Sequence, residues 1–132
     1  MGDSFQTVFG ELIVINKELV KLKIKDNLSV KIKNGMQFRD FFIELIDDEV
    51  GILVDARDVK ADVTVNSMRF FTTDAAFNRK CKFQAIVVNS ISIRLIANFY
   101  VSYLKYKSNA KVFNNNDDAL LWLEDQVEFL NN

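Results

Sequence analysis

The sequence predicts an α/β fold in which one mixed β-sheet packs against helices. Short apolar runs at residues 51–54 and 85–88 are typical of strands that are buried on both faces of a sheet. Later segments repeat apolar residues every three or four positions, which indicates amphipathic helices. Residues 20–25 alternate apolar side chains with lysines, as in a strand exposed on one face. We therefore expect N-terminal antiparallel strands, then parallel strands, within one domain spanning residues 1–132.

Composition narrows the class of protein. The chain has 132 residues, of which 49% are hydrophobic and twelve are Phe, so a substantial core can form. Its apolar runs are far shorter than the roughly 20 residues that span a bilayer. Residues 1–10 lack the basic start and apolar centre of a signal peptide. The single cysteine, Cys81, suits a reducing compartment, so we expect a cytoplasmic protein.

Missing residue types exclude several kinds of chemistry. The chain contains no histidine, which removes Ser–His and Cys–His catalysis and histidine metal ligands. One cysteine cannot build a structural zinc site. The net charge of −1 provides no general attraction to nucleic acid. We expect a non-enzymatic protein without catalytic residues, metal, cofactor or nucleic-acid partner; the rival hypothesis is an enzyme that uses Asp55, Asp62 or Lys105.

Extended segments dominate the first quarter of the chain. Residues 5–15 form two apolar runs, with Gly10 between them as a bulge or tight turn. The lysines on the strand at residues 20–25 are expected to solvate it, with phosphate or lipid-headgroup binding as the alternative. Residues 28–34 fit either a strand that pairs back across Asp26–Asn27 or a helix that starts at Ser29.

Helices are expected at four places. The first carries the apolar stripe Phe38, Phe41, Phe42, Leu45 and Ile46. A second runs from Thr64 to Asn78, with Asp62 or Thr64 as its N-cap. A third follows the strand at 85–88, and its cap is Asn89, Ser90 or Ser92. The apolar stripe of this third helix consists of Ile91, Leu95, Phe99 and Tyr103, with Ile96 and Tyr100 beside it. After a short strand at 111–113, the last helix follows a turn that begins at Asn114.

Three blocks of the sequence carry a family pattern: VGILVDARDV, NSISIRLIANFYVSYLK and KVFNNNDDALLWL. Their characteristic residues are Asp55, Arg57, Ser90, Arg94, Ala97, Asn98, Phe99, Phe113, Ala119, Trp122 and Leu123. With this pattern the chain resembles the small bacterial SpoIIAA-like proteins, relatives of the STAS fold that also resemble CRAL-TRIO lipid-binding domains. The resemblance implies a STAS-like sandwich, and it favours the helix start near Ser29 over the hairpin.

The resemblance also implies a regulatory site. STAS antagonists of anti-sigma factors carry a phosphorylatable serine in a turn that also contains glycine. The corresponding turn here places Thr64 near the serine position and lacks the glycine. Thr64 is therefore a weak candidate for a phosphorylation switch and a better candidate for a helix cap.

A second candidate site would bind an anion, another ligand or a partner. Arg94 and Asn98 lie four residues apart and share a helix face, and Ser90 precedes them at the helix start. Arg57 follows the buried strand that ends at Asp55, at an edge where α/β proteins place functional groups. The structural alternatives are that Asp55 pairs with Arg57 and that Arg94 pairs with an acid such as Asp55.

The chain contains more phenylalanine than one sheet face needs. The surplus at residues 36–46, 70–71 and 99–103 is core, a lipid or acyl pocket, a membrane-facing patch or a dimer surface. We therefore expect a module that binds a protein partner or a small ligand. The alternative function is that of a lipid-binding or peripheral membrane protein. So apolar a small domain is also expected to be able to form a homodimer.

Overall fold

A mixed six-stranded sheet forms the centre of the molecule. The computed structural model describes residues 2–131. The strands of the sheet are β1 (Asp3–Thr7), β2 (Gly10–Val14), β3 (Leu19–Ile24), β5 (Val50–Asp55), β7 (Cys81–Val87) and β8 (Ala110–Phe113). They lie in the order β1-β2-β3-β5-β7-β8. The pairs β1–β2 and β2–β3 are antiparallel, and the remaining pairs are parallel. The predicted mixed sheet is confirmed.

Helices cover both faces of this sheet. They are α1 (Ile32–Leu45), α2 (Val65–Thr73), α3 (Ala75–Lys80), α4 (Ile91–Ser102) and α5 (Asn116–Glu128). Helix α5 packs Leu123 and Val127 against Leu53 and Val87 on one face. The other helices cover the opposite face, where a larger core contains Phe42. The sheet therefore has a core on each side, as its apolar strands predict.

Gly10 closes the first hairpin in a conformation that requires glycine. Its φ is +142°, and a Cβ there would lie 2.0 Å from the carbonyl oxygen of Lys23. The Thr7 hydroxyl completes the turn by donating to the Gly10 carbonyl over 2.7 Å. The tight turn predicted at Gly10 follows from this close approach to β3.

Residues 28–34 divide into a strand and a helix start. Leu28–Val30 forms β4, which pairs in parallel with β6 (Ala61–Val63) outside the main sheet. The predicted hairpin across Asp26–Asn27 is therefore wrong, and so is a helix start at Ser29. Helix α1 begins at Ile32 because Leu28 and Val30 are buried as a strand, and the Asn34 side chain accepts from the Lys31 amide at the helix start.

Asp74 divides the helix predicted from Thr64 to Asn78. Its backbone is extended, with φ −70° and ψ 116°, so α2 ends there and α3 begins. The Asp74 carboxylate accepts from the Phe77 amide over 2.9 Å and from the Arg39 guanidinium over 2.7 Å. N-capping and this pairing with α1 stabilise the break.

Helix α4 packs through a different face from the predicted one. Ile93 and Ala97 are buried, whereas Ile91, Leu95 and Phe99 are 81%, 55% and 59% exposed. The predicted apolar stripe therefore faces solvent. The helix is apolar on both sides, so periodicity alone does not identify the side that contacts the sheet.

Candidate ligand-binding cavity

An apolar cavity of about 180 Å³ lies between the main sheet, the β4–β6 pair and the helices of the larger core. Nineteen residues line it, and none carries a charge. They are Phe9, Leu22, Ile24, Leu28, Val30, Phe38, Ile52, Val54, Ala56, Ala61, Val63, Phe71, Phe77, Gln84, Ile86, Ile93, Ile96, Ala97 and Tyr100. The cavity exceeds the roughly 150 Å³ of an apolar cavity that is known to hold benzene.

Small side chains help to leave this space unfilled. Ala56, Ala61 and Ala97 line the cavity at positions where a larger apolar residue would occupy it. From α4, Ile93, Ile96 and Tyr100 face the cavity with Ala97, at the i, i+3, i+4 and i+7 spacing of one helix face.

Gln84 and Tyr100 provide the polar side-chain groups of the lining. The Tyr100 hydroxyl donates to Oε1 of Gln84 over 2.8 Å, which joins α4 to β7. Burial raises the pKa of Tyr100 above its ordinary value. The phenol therefore stays protonated at neutral pH, and its proton remains available for this hydrogen bond.

The cavity approaches solvent between β6 and α4. Its lining residues on these elements include Ala61, Val63, Ile96 and Tyr100, which are half-buried, whereas Ile52 and Phe38 on the far side are buried.

The predicted polar residues lie elsewhere. At the carboxyl end of β5, the Arg57 guanidinium donates two hydrogen bonds of 2.9 Å to the Asp55 carboxylate. Asp55 is 1% exposed, and Lys21 and Lys23 approach it at 3.8 and 3.9 Å. Hydrogen bonding from Arg57 lowers the pKa of Asp55. The pairing of Asp55 with Arg57 is confirmed, and it occupies the Nε–Nη2 edge of the guanidinium group.

The other candidates lie on α4. Ser90 caps the helix by accepting from the Ile93 amide over 3.3 Å. Arg94 is half-buried and Asn98 is exposed. Within residues 2–131 no ion pair joins Arg94 to Asp55 or to another acid, so that alternative is wrong. In the same part of the chain no hydrogen bond joins Arg57 to Ser90, Arg94 or Asn98, and the anion site remains a prediction.

Thr64 caps α2, as expected. Its hydroxyl oxygen accepts from the Ser67 amide over 3.2 Å, and the two hydroxyls lie 2.7 Å apart. Thr64 is exposed, whereas Ser67 is 0% exposed. The phosphorylation switch at Thr64 remains a prediction.

Sequence reasoning did not find the cavity or the role of Gln84. It included a lipid or acyl pocket among the explanations for the surplus phenylalanine at residues 36–46, 70–71 and 99–103, and of those phenylalanines Phe38 and Phe71 line the cavity. The available signal was an amide inside a buried strand, Gln84 before Ala85, since such a side chain needs a hydrogen-bond partner. The sequence around Gln84 does not show that this partner is the Tyr100 hydroxyl, which lies 16 residues further along the chain.

Comparison with known proteins defines the family. The family model described as a domain of unknown function, DUF7793, matches residues 13–127. The chain belongs to DUF7793. None of the curated proteins matches this DUF7793 chain.

One solved structure supports the fold of this DUF7793 domain. It is the crystal structure of an uncharacterised protein from the DUF3478 family with a SpoIIAA-like fold, from Shewanella loihica PV-4. The two chains are 12% identical, with a TM-score of 0.56 over 93% of this chain and 92% of the other. The SpoIIAA-like resemblance is therefore confirmed at the level of fold. In residues 2–131 no helix of the DUF7793 domain has the length and apolar character needed to span a bilayer.

Proposed function

We propose that this chain is a non-enzymatic module that binds a small apolar molecule between its sheet and helices. The supporting observation is the cavity of about 180 Å³ with its uncharged lining. Ligand sites are typically concave and apolar, with a few placed polar groups, and Gln84 and Tyr100 are such groups here.

The lining argues for binding without catalysis. It contains no carboxylate, lysine or thiol, and Tyr100 is held neutral against Gln84. The volume fits a molecule of about the size of benzene or a short acyl segment, so a whole phospholipid is excluded from the interior. This favours a small ligand over the lipid-carrier alternative.

The experiment is a titration with benzene, followed through isoleucine methyl resonances. We expect the signals of Ile86 and Ile93, which line the cavity, to shift while that of solvent-facing Ile91 stays in place. Ala97→Leu should abolish the shifts because the added side chain fills the cavity. Leu95→Ala, on the outer side of the same helix, is the matched control and should bind as the wild type does.

Two outcomes would contradict the proposal. One is the absence of methyl shifts at benzene saturation. The other is shifts that persist in folded Ala97→Leu protein, since the molecule would then bind outside the cavity. Native mass spectrometry on protein purified without detergent would identify a retained natural ligand.

Contact with another protein chain is a second candidate function. It is favoured by the stripe formed by Ile91, Leu95 and Phe99, called the outer stripe below, which exposes apolar side chains over two turns of α4. Such surfaces often mark interaction sites. A second copy of the chain is the simplest partner, and the oligomeric state in solution tests it.

A further inference from the structure

The side chain of Gln84 has hydrogen-bonding capacity that the protein does not use. Gln84 is 8% exposed and lines the cavity. Its Oε1 accepts from Tyr100, and within residues 2–131 this is the one hydrogen bond that the side chain makes. Its amide nitrogen therefore keeps two N–H donors without an acceptor. This nitrogen is not one of the fully buried side-chain atoms without a partner, so water can reach it, and a ligand oxygen would replace that water as the acceptor inside an apolar site.

We infer that the ligand carries a neutral acceptor oxygen, such as a ketone, aldehyde, ester or amide carbonyl, which binds the Gln84 amide nitrogen. This inference rests on the proposed function of the cavity and specifies the ligand's chemistry. Tyr100 fixes the direction of the interaction. By donating to Oε1, its hydroxyl orients the carboxamide and leaves Nε2 as the free donor.

The absence of charge in the lining selects a neutral ligand. A carboxylate in the cavity would lose its hydration and would meet none of the Lys or Arg side chains, because none lines the cavity. Burying an unpaired charge is far more costly than burying a carbonyl that accepts a hydrogen bond. The ligand should therefore combine an apolar body with one uncharged carbonyl group.

Three probes of nearly the same shape test this chemistry. Acetophenone carries a carbonyl, α-methylstyrene replaces its oxygen with a methylene, and benzoate replaces its methyl with a charged oxygen. Affinities are measured by titration of the isoleucine methyl resonances. The free probes differ in hydration, so the quantity to compare is the ratio of ketone to alkene affinity, measured in wild type and in variants.

The decisive variant carries Gln84→Met with Tyr100→Phe. Removing both partners leaves an apolar cavity of similar shape, and such paired replacements are close to neutral for folding. We expect the ketone-to-alkene ratio to fall at least about fivefold, the equivalent of one hydrogen bond. Tyr100→Phe alone keeps the Gln84 donors and should keep most of the preference. In wild type, the Gln84 side-chain amide protons should show an additional downfield shift with acetophenone, beyond the ring-current shift that they share with α-methylstyrene.

The outcomes separate this inference from the function on which it rests. If none of the probes binds the wild type, the proposed function is contradicted. If the alkene binds but the ratio is equal in wild type and the double variant, the cavity function stands and the role of Gln84 is overturned. Benzoate binding as tight as acetophenone would overturn the requirement for a neutral ligand.

Discussion

The Asp55 carboxylate is buried among cations at the end of a parallel strand. The pairing with Arg57 was predictable because the two residues lie two positions apart where β5 ends. The approach of Lys21 and Lys23 from β3 was not predictable, since it depends on how β3 aligns with β5. Local spacing shows which groups can pair, whereas burial depends on residues that are distant in sequence.

Asp55 should make stability depend on pH. The folded-state pKa of Asp55 lies below the ordinary value of 3.8, so its stabilising contribution is present above that pH and is lost as pH falls through the folded-state pKa. Asp55→Asn should lower the free energy of unfolding by about 1–3 kcal/mol at pH 7. The difference from wild type should narrow below pH 3.8.

Urea denaturation across this pH range measures the effect. Asp62→Asn, which changes an exposed carboxylate on β6, is the matched control and should leave stability nearly unchanged. A difference between Asp55→Asn and wild type that stays constant down to pH 2 would contradict the interpretation.

At the scale of elements, the positions of most helices and strands were predictable from the sequence. Which elements pair or pack with each other was harder to predict. Alternation along β3 and the apolar runs of β5 and β7 identify these strands directly. The alternation at residues 28–34 allowed a strand where β4 lies, but its parallel pairing with the three-residue strand β6 was not predictable from local sequence. The break at Asp74 required knowledge of Arg39, which comes from another helix.

The orientation of α4 can be tested by paired substitutions. Ile93→Ala should lower the free energy of unfolding by about 2–4 kcal/mol, because Ile93 is 4% exposed against the sheet. Leu95→Ala, two residues along the same helix, should cost the monomer less than about 1 kcal/mol because Leu95 is 55% exposed in the single chain. Urea denaturation of the two variants measures the difference. If the two variants lost equal free energy of unfolding, or if Leu95→Ala lost more, the side of α4 that packs on the sheet would be the one predicted from the sequence.

At the scale of the molecule, the alternation of buried strands and amphipathic helices predicted the mixed sheet, and the resemblance of three sequence blocks to SpoIIAA-like proteins predicted the SpoIIAA-like fold. The candidate cavity was beyond such prediction. It is the space left between nine strands and helices whose lining includes three alanines, and no sequence pattern encodes an unfilled volume.

The outer stripe should make the intact protein associate. We expect the wild type to sediment as a dimer at micromolar concentration and Leu95→Asn with Phe99→Asn to sediment as a monomer, because the substitutions remove the exposed apolar surface. Sedimentation velocity at several concentrations measures this. Leu121→Asn, an equally exposed position on α5, is the control and should leave the dimer intact. Identical sedimentation of all three proteins would rule out this surface as the interface.

One side of helix α4 lines the cavity and the opposite side faces solvent, so the cavity and the outer stripe are separated by a single helix. Ile93, Ala97 and Tyr100 face inward, and Ile91, Leu95 and Phe99 face outward. A molecule that moves α4 when it enters would present a changed outer surface to any partner. Equilibrium linkage is reciprocal, so that partner would alter the affinity of the cavity by the same factor. One helix of twelve residues would then be enough for the chain to report a small molecule to another protein.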